Sequence, residues 1–174
     1  LTYSGTLGFT RGIILSSLTN TLSIPNGANA VGAWDSSYVD GPVNKTGNTD
    51  FTFPLGKNNV YAPITIAAPA LATDAFRAQY FNTNAHDAGF DSTQRDITLH
   101  HISGKEYWLL DRTGGTASPK VTLSWKTSRS GTVDVMSDLR VARWNGTTWK
   151  DEGNGGIAGT NAEGTVQSLN DIGS

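Results

Sequence analysis

The chain has 174 residues, no cysteine, 37% hydrophobic and 16% charged residues, and a formal net charge of -2. A chain of this length buries roughly 70% of its extended surface, so a core forms without disulfides or metal, and the lack of cysteine removes thiolate zinc sites, redox pairs and thiol nucleophiles. Lys and Arg form no block, which argues against a nucleic-acid backbone or a strongly anionic membrane as partner, and no stretch is long and apolar enough for membrane insertion.

Phe9 to Leu15 is the first expected strand and Leu18 to Ile24 the second. In the second, Leu18, Leu22 and Ile24 share one parity and Thr19, Thr21 and Ser23 the other, as on a half-buried strand. Pro25-Asn26-Gly27 supplies a turn, and residues 31–50 read as a crossing loop anchored by Trp34, Tyr38 and Val39. Phe51 to Leu55 is a short strand, followed by the turn Gly56-Lys57-Asn58-Asn59 and a strand over Val60 to Ala67, where Pro63 predicts an edge or a bulge. Ala67 to Phe76 is the one stretch compatible with a helix, weakened by Pro69. Phe76, Ala78 and Tyr80 then share one strand face.

Asn82 to Gln94 is the longest polar stretch. Beyond it, strands are expected over Glu106 to Leu110 and Lys120 to Lys126, at Val133 to Val135 pairing with Leu139 to Trp144, and near Ile157 and Thr165 to Leu169. Trp144-Asn145-Gly146-Thr147-Thr148-Trp149 has hairpin character, because Asn-Gly readily takes up positive φ. Many short strands between polar turns predict an all-β fold: a β-sandwich of mainly antiparallel strands, with a barrel as the alternative.

Aromatic rings are the largest chemical payload. A sugar ring stacks on an exposed indole while neighbouring polar groups bind its hydroxyls, so Trp34, Tyr38, Trp108, Trp144 and Trp149, with Arg143, are candidate carbohydrate-binding residues; core packing is the competing role. Parity places Trp125 with Val121 and Leu123, which favours the core for that ring. Asn84, Asp87 and Asp91, beside His86, are oxygen donors of the kind calcium takes from a flexible loop, but no calcium-loop motif is present and solvated turn residues are the simpler reading. No cofactor is expected otherwise. His86, His100 and His101 lack zinc-ligand spacing.

Glu106 and Asp111 are the one acid pair beside strongly aromatic residues, as a small glycoside hydrolase would need. Their five-residue separation gives opposite parity in a strand, and Asp111 with Arg112 reads more simply as a turn ion pair. Ser124 and Ser128 lack a nucleophile-elbow setting. No catalytic residue is assigned.

Ser37-Tyr38-Val39-Asp40-Gly41-Pro42-Val43, Lys45-Thr46-Gly47-Asn48, Phe51-Thr52-Phe53-Pro54-Leu55-Gly56, Tyr61-Ala62-Pro63-Ile64, Tyr107-Trp108-Leu109-Leu110 and Arg143-Trp144-Asn145-Gly146-Thr147-Thr148-Trp149 occur in fixed order. Together they resemble a module repeated in long secreted and cell-surface proteins of Bacteroidetes, which often carry adhesin-like repeats or a type IX secretion sorting domain. The resemblance spans residues 12–170 and is most specific over 37–64. It implies a secreted or cell-surface location and neighbouring domains of the same chain as partners, with a polysaccharide as a further candidate, and it carries no catalytic residues. Gly12 to Gly32 looks like the final rung of a parallel β-helix or repeat array. Residues 1–32 are therefore expected to form a strand pair or the end of a preceding array, and 33–174 the sandwich module. Leu1 in place of Met, and no visible signal peptide, read as a mature or excised segment. The leading expectation is a non-catalytic structural or adhesive module that spaces, caps or displays its neighbours; the alternatives are a carbohydrate-binding module and a small hydrolase.

Overall fold

The computed structural model describes residue 2 and residues 4–173. The chain is largely β, with mixed parallel and antiparallel pairing. It forms two compact units: one runs to Phe81 and adds Trp108–Pro119 and Gly173, the other holds Asn82–Tyr107 and Lys120–Ile172.

The first unit begins as a coil. Strands β1 (Thr6–Gly8), β2 (Ile14–Leu15) and β3 (Leu22–Ile24) are followed by β4 (Asn29–Val31), β5 (Val39–Asp40) and β6 (Val43–Thr46). Each of the first three lies parallel against the strand one coil later: Thr6 faces Asn29, Ile14 faces Val39 and Leu22 faces Val43. Antiparallel neighbours need only a tight turn, whereas parallel neighbours require the chain to travel back to its starting end. Here the return path is made of corners and the other strands of the coil. Two glycines allow the coils to close up at those corners. Gly32 (φ 78°) and Gly41 (φ 126°) hold left-handed backbone that favours glycine, and a Cβ at Gly41 would lie 2.2 Å from the Ser16 carbonyl oxygen. Ser16 Oγ donates across the same corner to the Pro42 carbonyl at 2.8 Å.

Four more strands follow: β7 (Phe51–Phe53), β8 (Gly56–Lys57), β9 (Val60–Tyr61) and β10 (Ile64–Ile66). β7 and β10 pair antiparallel, and β8 and β9 form a hairpin whose turn residues Asn58 and Asn59 both take positive φ. β11 (Ala75–Phe81) and β12 (Tyr107–Gly114) complete a sheet in the order β12-β11-β6-β3.

Strand β6 is central in this sheet, parallel to β3 on one side and antiparallel to β11 on the other. Its inward positions are Val43 and Lys45. Val43 lies between Leu22 and Ala78, and Lys45 between Ile24 and Phe76. Lys45 is only 2% exposed, yet its stem fills an apolar position because its ammonium bends back to the coil's turn. Nζ donates to the carbonyls of Pro25 (3.0 Å) and Ala28 (2.7 Å), and it lies 5.0 Å from the centroid of the Phe51 ring. Burial holds the Lys45 pKa below its ordinary value.

Asp74 is the second buried charge. Its carboxylate accepts from the backbone N–H groups of Leu71 (2.8 Å), Thr116 (3.1 Å) and Ala117 (3.4 Å). The Leu71 bond contributes most to holding its pKa below the carboxylate range; burial opposes the shift, and Thr116, Ala117 and the Arg112 charge add to it. The Leu71 bond also accounts for the lack of a helix over residues 67–76. The carboxylate closes a turn there, and the alternation that buries Phe76, Ala78 and Tyr80 recruits the following residues into β11.

In the second unit, β13 (Val121–Lys126) leads into the single-turn helix α1 (Thr127–Ser130). β14 (Ala142–Trp144) and β15 (Trp149–Asp151) form a hairpin, and β16 (Gly156–Gly159) and β17 (Glu163–Gln167) a second one. β17 pairs antiparallel with both β16 and β13. Trp125, Val141 and Val166 make one core cluster, and Ala85, Leu99 and Trp149 another. The Asn145-Gly146 hairpin forms with a four-residue loop in which Gly146 takes positive φ (101°), while Asn145 Oδ1 accepts from the Thr147 and Thr148 N–H groups.

Four expectations are corrected, the first being the crossing loop over residues 31–50, which instead contains β5 and the central strand β6. Residues 9–15 turn a corner at Gly12 (φ 102°), so only Ile14–Leu15 is strand there. Within residues 18–24 only Leu22–Ile24 is strand, because Ser17, Leu18 and Thr21 close a polar turn. Val133 to Val135 is no strand at all, and β14 takes β15 as its partner.

Two predictions concern the buried charges. Lys45→Met, which keeps the stem and removes the donor, should lower unfolding free energy by about 1–3 kcal/mol through the two stranded carbonyls, measured by urea denaturation. Asp74 has a folded pKa below the unfolded value of about 3.9. Its stabilisation is therefore present above that pH and lost as pH falls through the lower folded value. Thermal melts from pH 5 to pH 2 should show the wild type losing its advantage over Asp74→Asn on acidification.

Candidate functional site

The five tryptophans occupy different environments. Trp125 is 6% and Trp149 8% exposed, while Trp34 is 50% exposed. Trp144 and Trp149 meet across their hairpin with centroids 5.8 Å apart and share Phe90 as a neighbour. Phe90 also stacks edge-on against Tyr107 at 5.4 Å, and Trp149 Nε1 donates to the Phe90 carbonyl at 3.3 Å. These rings form a packed aromatic cluster, with Trp144 half-buried at its margin. Arg143, on the same hairpin, places Nε 2.8 Å from Glu152 Oε1. Trp108 is half-buried in the first unit, 5.4 Å from Tyr80, and its Nε1 donates to the Ala62 carbonyl at 2.9 Å. Tyr38 is 1% exposed, and its hydroxyl accepts from the Asn59 N–H at 2.9 Å. The candidate carbohydrate residues are thus not gathered on one face: Trp34 is exposed, Tyr38 is buried, Trp108 lies beside Tyr80, and Trp144, Trp149 and Arg143 share one hairpin.

Trp34 borders a depression. An open hollow of about 550 Å³ is lined by Arg11, Gly12, Ile13, Trp34, Ser36 and Asn59. Three successive turns meet there: the corner after β1, the loop after β4 and the β8–β9 turn. Each is tied to its neighbour through fixed backbone. Trp34 and Ser37 exchange both backbone hydrogen bonds, at 2.8 and 2.9 Å, which makes residues 34–37 a tight loop. Gly12 N–H donates to the Ser36 carbonyl (3.1 Å), and Asp35 Oδ1 accepts from the Tyr61 N–H (2.9 Å). The Tyr38 hydroxyl bond holds Asn59 in its left-handed conformation. Trp34 Nε1 donates to the Thr10 carbonyl at 3.3 Å, so its one polar atom is engaged while half of the side chain stays in solvent.

Sequence reasoning identified Trp34 but not Arg11, Ile13, Ser36 or Asn59. The available signal was the polar turn at Asn58-Asn59, where both residues take positive φ. Which turns would stack was not readable from local pattern.

The calcium candidates lie in the second unit. Asn84 Oδ1 accepts from the His86 N–H (3.0 Å), Asp87 is exposed, and Asp91 Oδ1 accepts from both the N–H and the hydroxyl of Thr93 (2.9 and 2.8 Å). His86 Nδ1 lies 3.4 Å from the same Asp91 oxygen. The two Thr93 bonds, followed by the His86 charge, hold the Asp91 pKa below its ordinary value against the opposing effect of burial. Among the described residues no group of three or more His, Cys, Asp or Glu is arranged to hold a metal ion.

The acids considered for hydrolysis are both engaged. Glu106 is buried, with one oxygen accepting from Arg129 Nη1 and the other from the Ser130 hydroxyl, while Arg129 Nη2 donates to Ser124 Oγ at 2.7 Å. Asp111 pairs with Arg77 on the surface at 2.8 Å, and Arg112 instead donates to the carbonyls of Thr116 and Ala117. No helix among the described residues is long and apolar enough to cross a membrane. No protein-family model, curated protein or solved structure matches this chain.

The different settings of the tryptophans are measurable. Trp149→Ala should cost about 3–5 kcal/mol, as truncation of a packed aromatic does, whereas Trp34→Ala should stay within about 0.5 kcal/mol of wild type. Urea denaturation of the two variants checks the contrast.

Proposed function

We propose that this chain is a non-catalytic structural module of an exported protein, a β-sandwich module whose opening coil continues a parallel β-helix-like array. The observation that carries this reading is the outer edge of the first coil. β1 and β2 have strand partners only on the side of the second coil among the described residues. Ile14 and Ser16 donate their N–H groups to the Tyr38 and Asp40 carbonyls, so strand alternation aims the Leu15 N–H and C=O the other way, toward the open side. Leu15 and Leu18 are 78% and 69% exposed beside it. β3 differs: its outer edge carries a parallel bridge from Ser23 to Thr2. The backbone at Thr2 therefore already follows the path of a preceding coil's third strand, while the places beside β1 and β2 stand open. An open edge of this kind is a template for another strand, which natural proteins seldom leave uncovered.

At the opposite side β6 is met by antiparallel β11, and among the described residues parallel pairing runs on as an isolated bridge from Val39 to Leu55. A module with one edge ready for stacking and the other closed suits the end of an array. Secretion and surface display rest on the ordered phrases over residues 37–64, and the engagement of Glu106 and Asp111 in ion pairs favours a non-catalytic role.

The test is amide exchange on the chain alone and on a longer chain carrying the residues encoded ahead of Leu1. The Leu15 amide should exchange freely in the first and become at least about tenfold slower in the second, as for any amide drawn into a ladder. Unchanged exchange, or a gene encoding no such residues, overturns the proposal.

A further inference from the structure

We propose that the hollow beside Trp34 binds an acidic sugar residue, with its pyranose ring against the indole and its carboxylate on Arg11. This site is independent of the array edge described above.

The argument starts from what the lining has left uncommitted. Among the described residues, the Arg11 guanidinium, the Ser36 hydroxyl and the Asn59 side-chain amide make no hydrogen bond or ion pair. These groups supply the donors and acceptors that ring hydroxyls and a carboxylate require. Trp34 adds a large apolar surface with its N–H already engaged, so the exposed part of the ring offers contact rather than hydrogen bonding. Sugar rings have this dual character, with C–H bonds on their faces and hydroxyls around their rims. A wholly apolar ligand would leave three polar side chains stranded, and a wholly polar one would leave Trp34 and Ile13 in water.

Charge narrows the class. Arg11 is the one ionised side chain in the lining, and the Asp35 carboxylate between Trp34 and Ser36 accepts from the Tyr61 N–H. A guanidinium takes a carboxylate through two parallel N–H bonds, so a uronic acid fits better than a neutral hexose. A nucleotide is the less suitable anion, because phosphate sites usually gather several N–H groups or cations. The lining holds no pair of acids of the kind glycosidic cleavage uses, which favours binding over hydrolysis.

The site is also held in place. The bonds from Gly12 to Ser36, from Tyr61 to Asp35 and from Asn59 to Tyr38 fix the three turns before any ligand arrives. Preorganisation of this kind reduces the ordering cost of binding.

The experiment is an NMR titration of the whole chain, following the indole N–H resonances, with a galacturonic acid hexamer, a neutral glucose hexamer and AMP as probes. The expected result is a saturable shift confined to the Trp34 indole with the galacturonate hexamer. Affinity, followed in the variants through the backbone amide resonances of Gly12 and Ser36, should fall about tenfold or more in Trp34→Ala, as for loss of an aromatic anchor, and by a similar factor in Arg11→Gln. Both side chains are exposed, so unchanged thermal melts will show that the variants fold. No shift at Trp34, binding unaffected by either substitution, or equal affinity for the neutral hexamer or AMP would each overturn the assignment.

Discussion

Strand β6 has to satisfy two incompatible neighbours, and the first unit is organised around that constraint. On one side it continues a parallel stack begun by β3; on the other it accepts antiparallel β11. The two kinds of ladder place their hydrogen bonds differently, but both keep side-chain parity, so Val43 and Lys45 face the interior whichever neighbour is considered. An apolar residue would be the ordinary choice at position 45. Lysine succeeds because its stem reaches the turn, where the Pro25 and Ala28 carbonyls receive the head group. A buried cation of this type ties the turn after β3 to the strand that closes the coil.

The parts of this architecture that are local in origin can be read in the chain. Alternation over Phe76, Ala78 and Tyr80 gives a strand face, and those residues are buried. Val121 and Trp125 share a parity and are likewise buried. Parallel pairing between Leu22 and Val43 is another matter, because it depends on how far the chain travels before returning. The rung-like character of residues 12–32 came from resemblance, not from periodicity. Ala67 to Phe76 failed as a helix for a nonlocal reason as well: the Asp74 carboxylate is claimed by Leu71, Thr116 and Ala117, and two of those lie on a distant loop.

The same distinction governs the candidate site. Trp34 stands out in any composition scan, yet so do Trp125 and Trp149, and nothing adjacent to them in sequence separates the exposed ring from the packed ones. What separates them is whether a second element covers the ring. Phe90 covers Trp149 from far along the chain. Trp34 lies in a tight loop closed by its own backbone bonds with Ser37, and half of it stays exposed. Backbone-determined turns thus give a fixed frame while leaving side chains such as Arg11 and Asn59 unspent, a combination that helical or strand interiors seldom provide.

The bonds from Asp74 to Thr116 and Ala117 also bear on the order in which the protein can be made. The chain leaves its first unit after Phe81 and returns only at Trp108. During vectorial synthesis, the coil through β6 can assemble early, but the carboxylate lacks two of its three backbone donors until residue 117 has emerged. Segments of the second unit are therefore synthesised before the first can be locked. A nascent chain stalled short of that point would hold an assembled coil whose Asp74 carboxylate is still open to water, a half-finished intermediate of the type on which chaperones act.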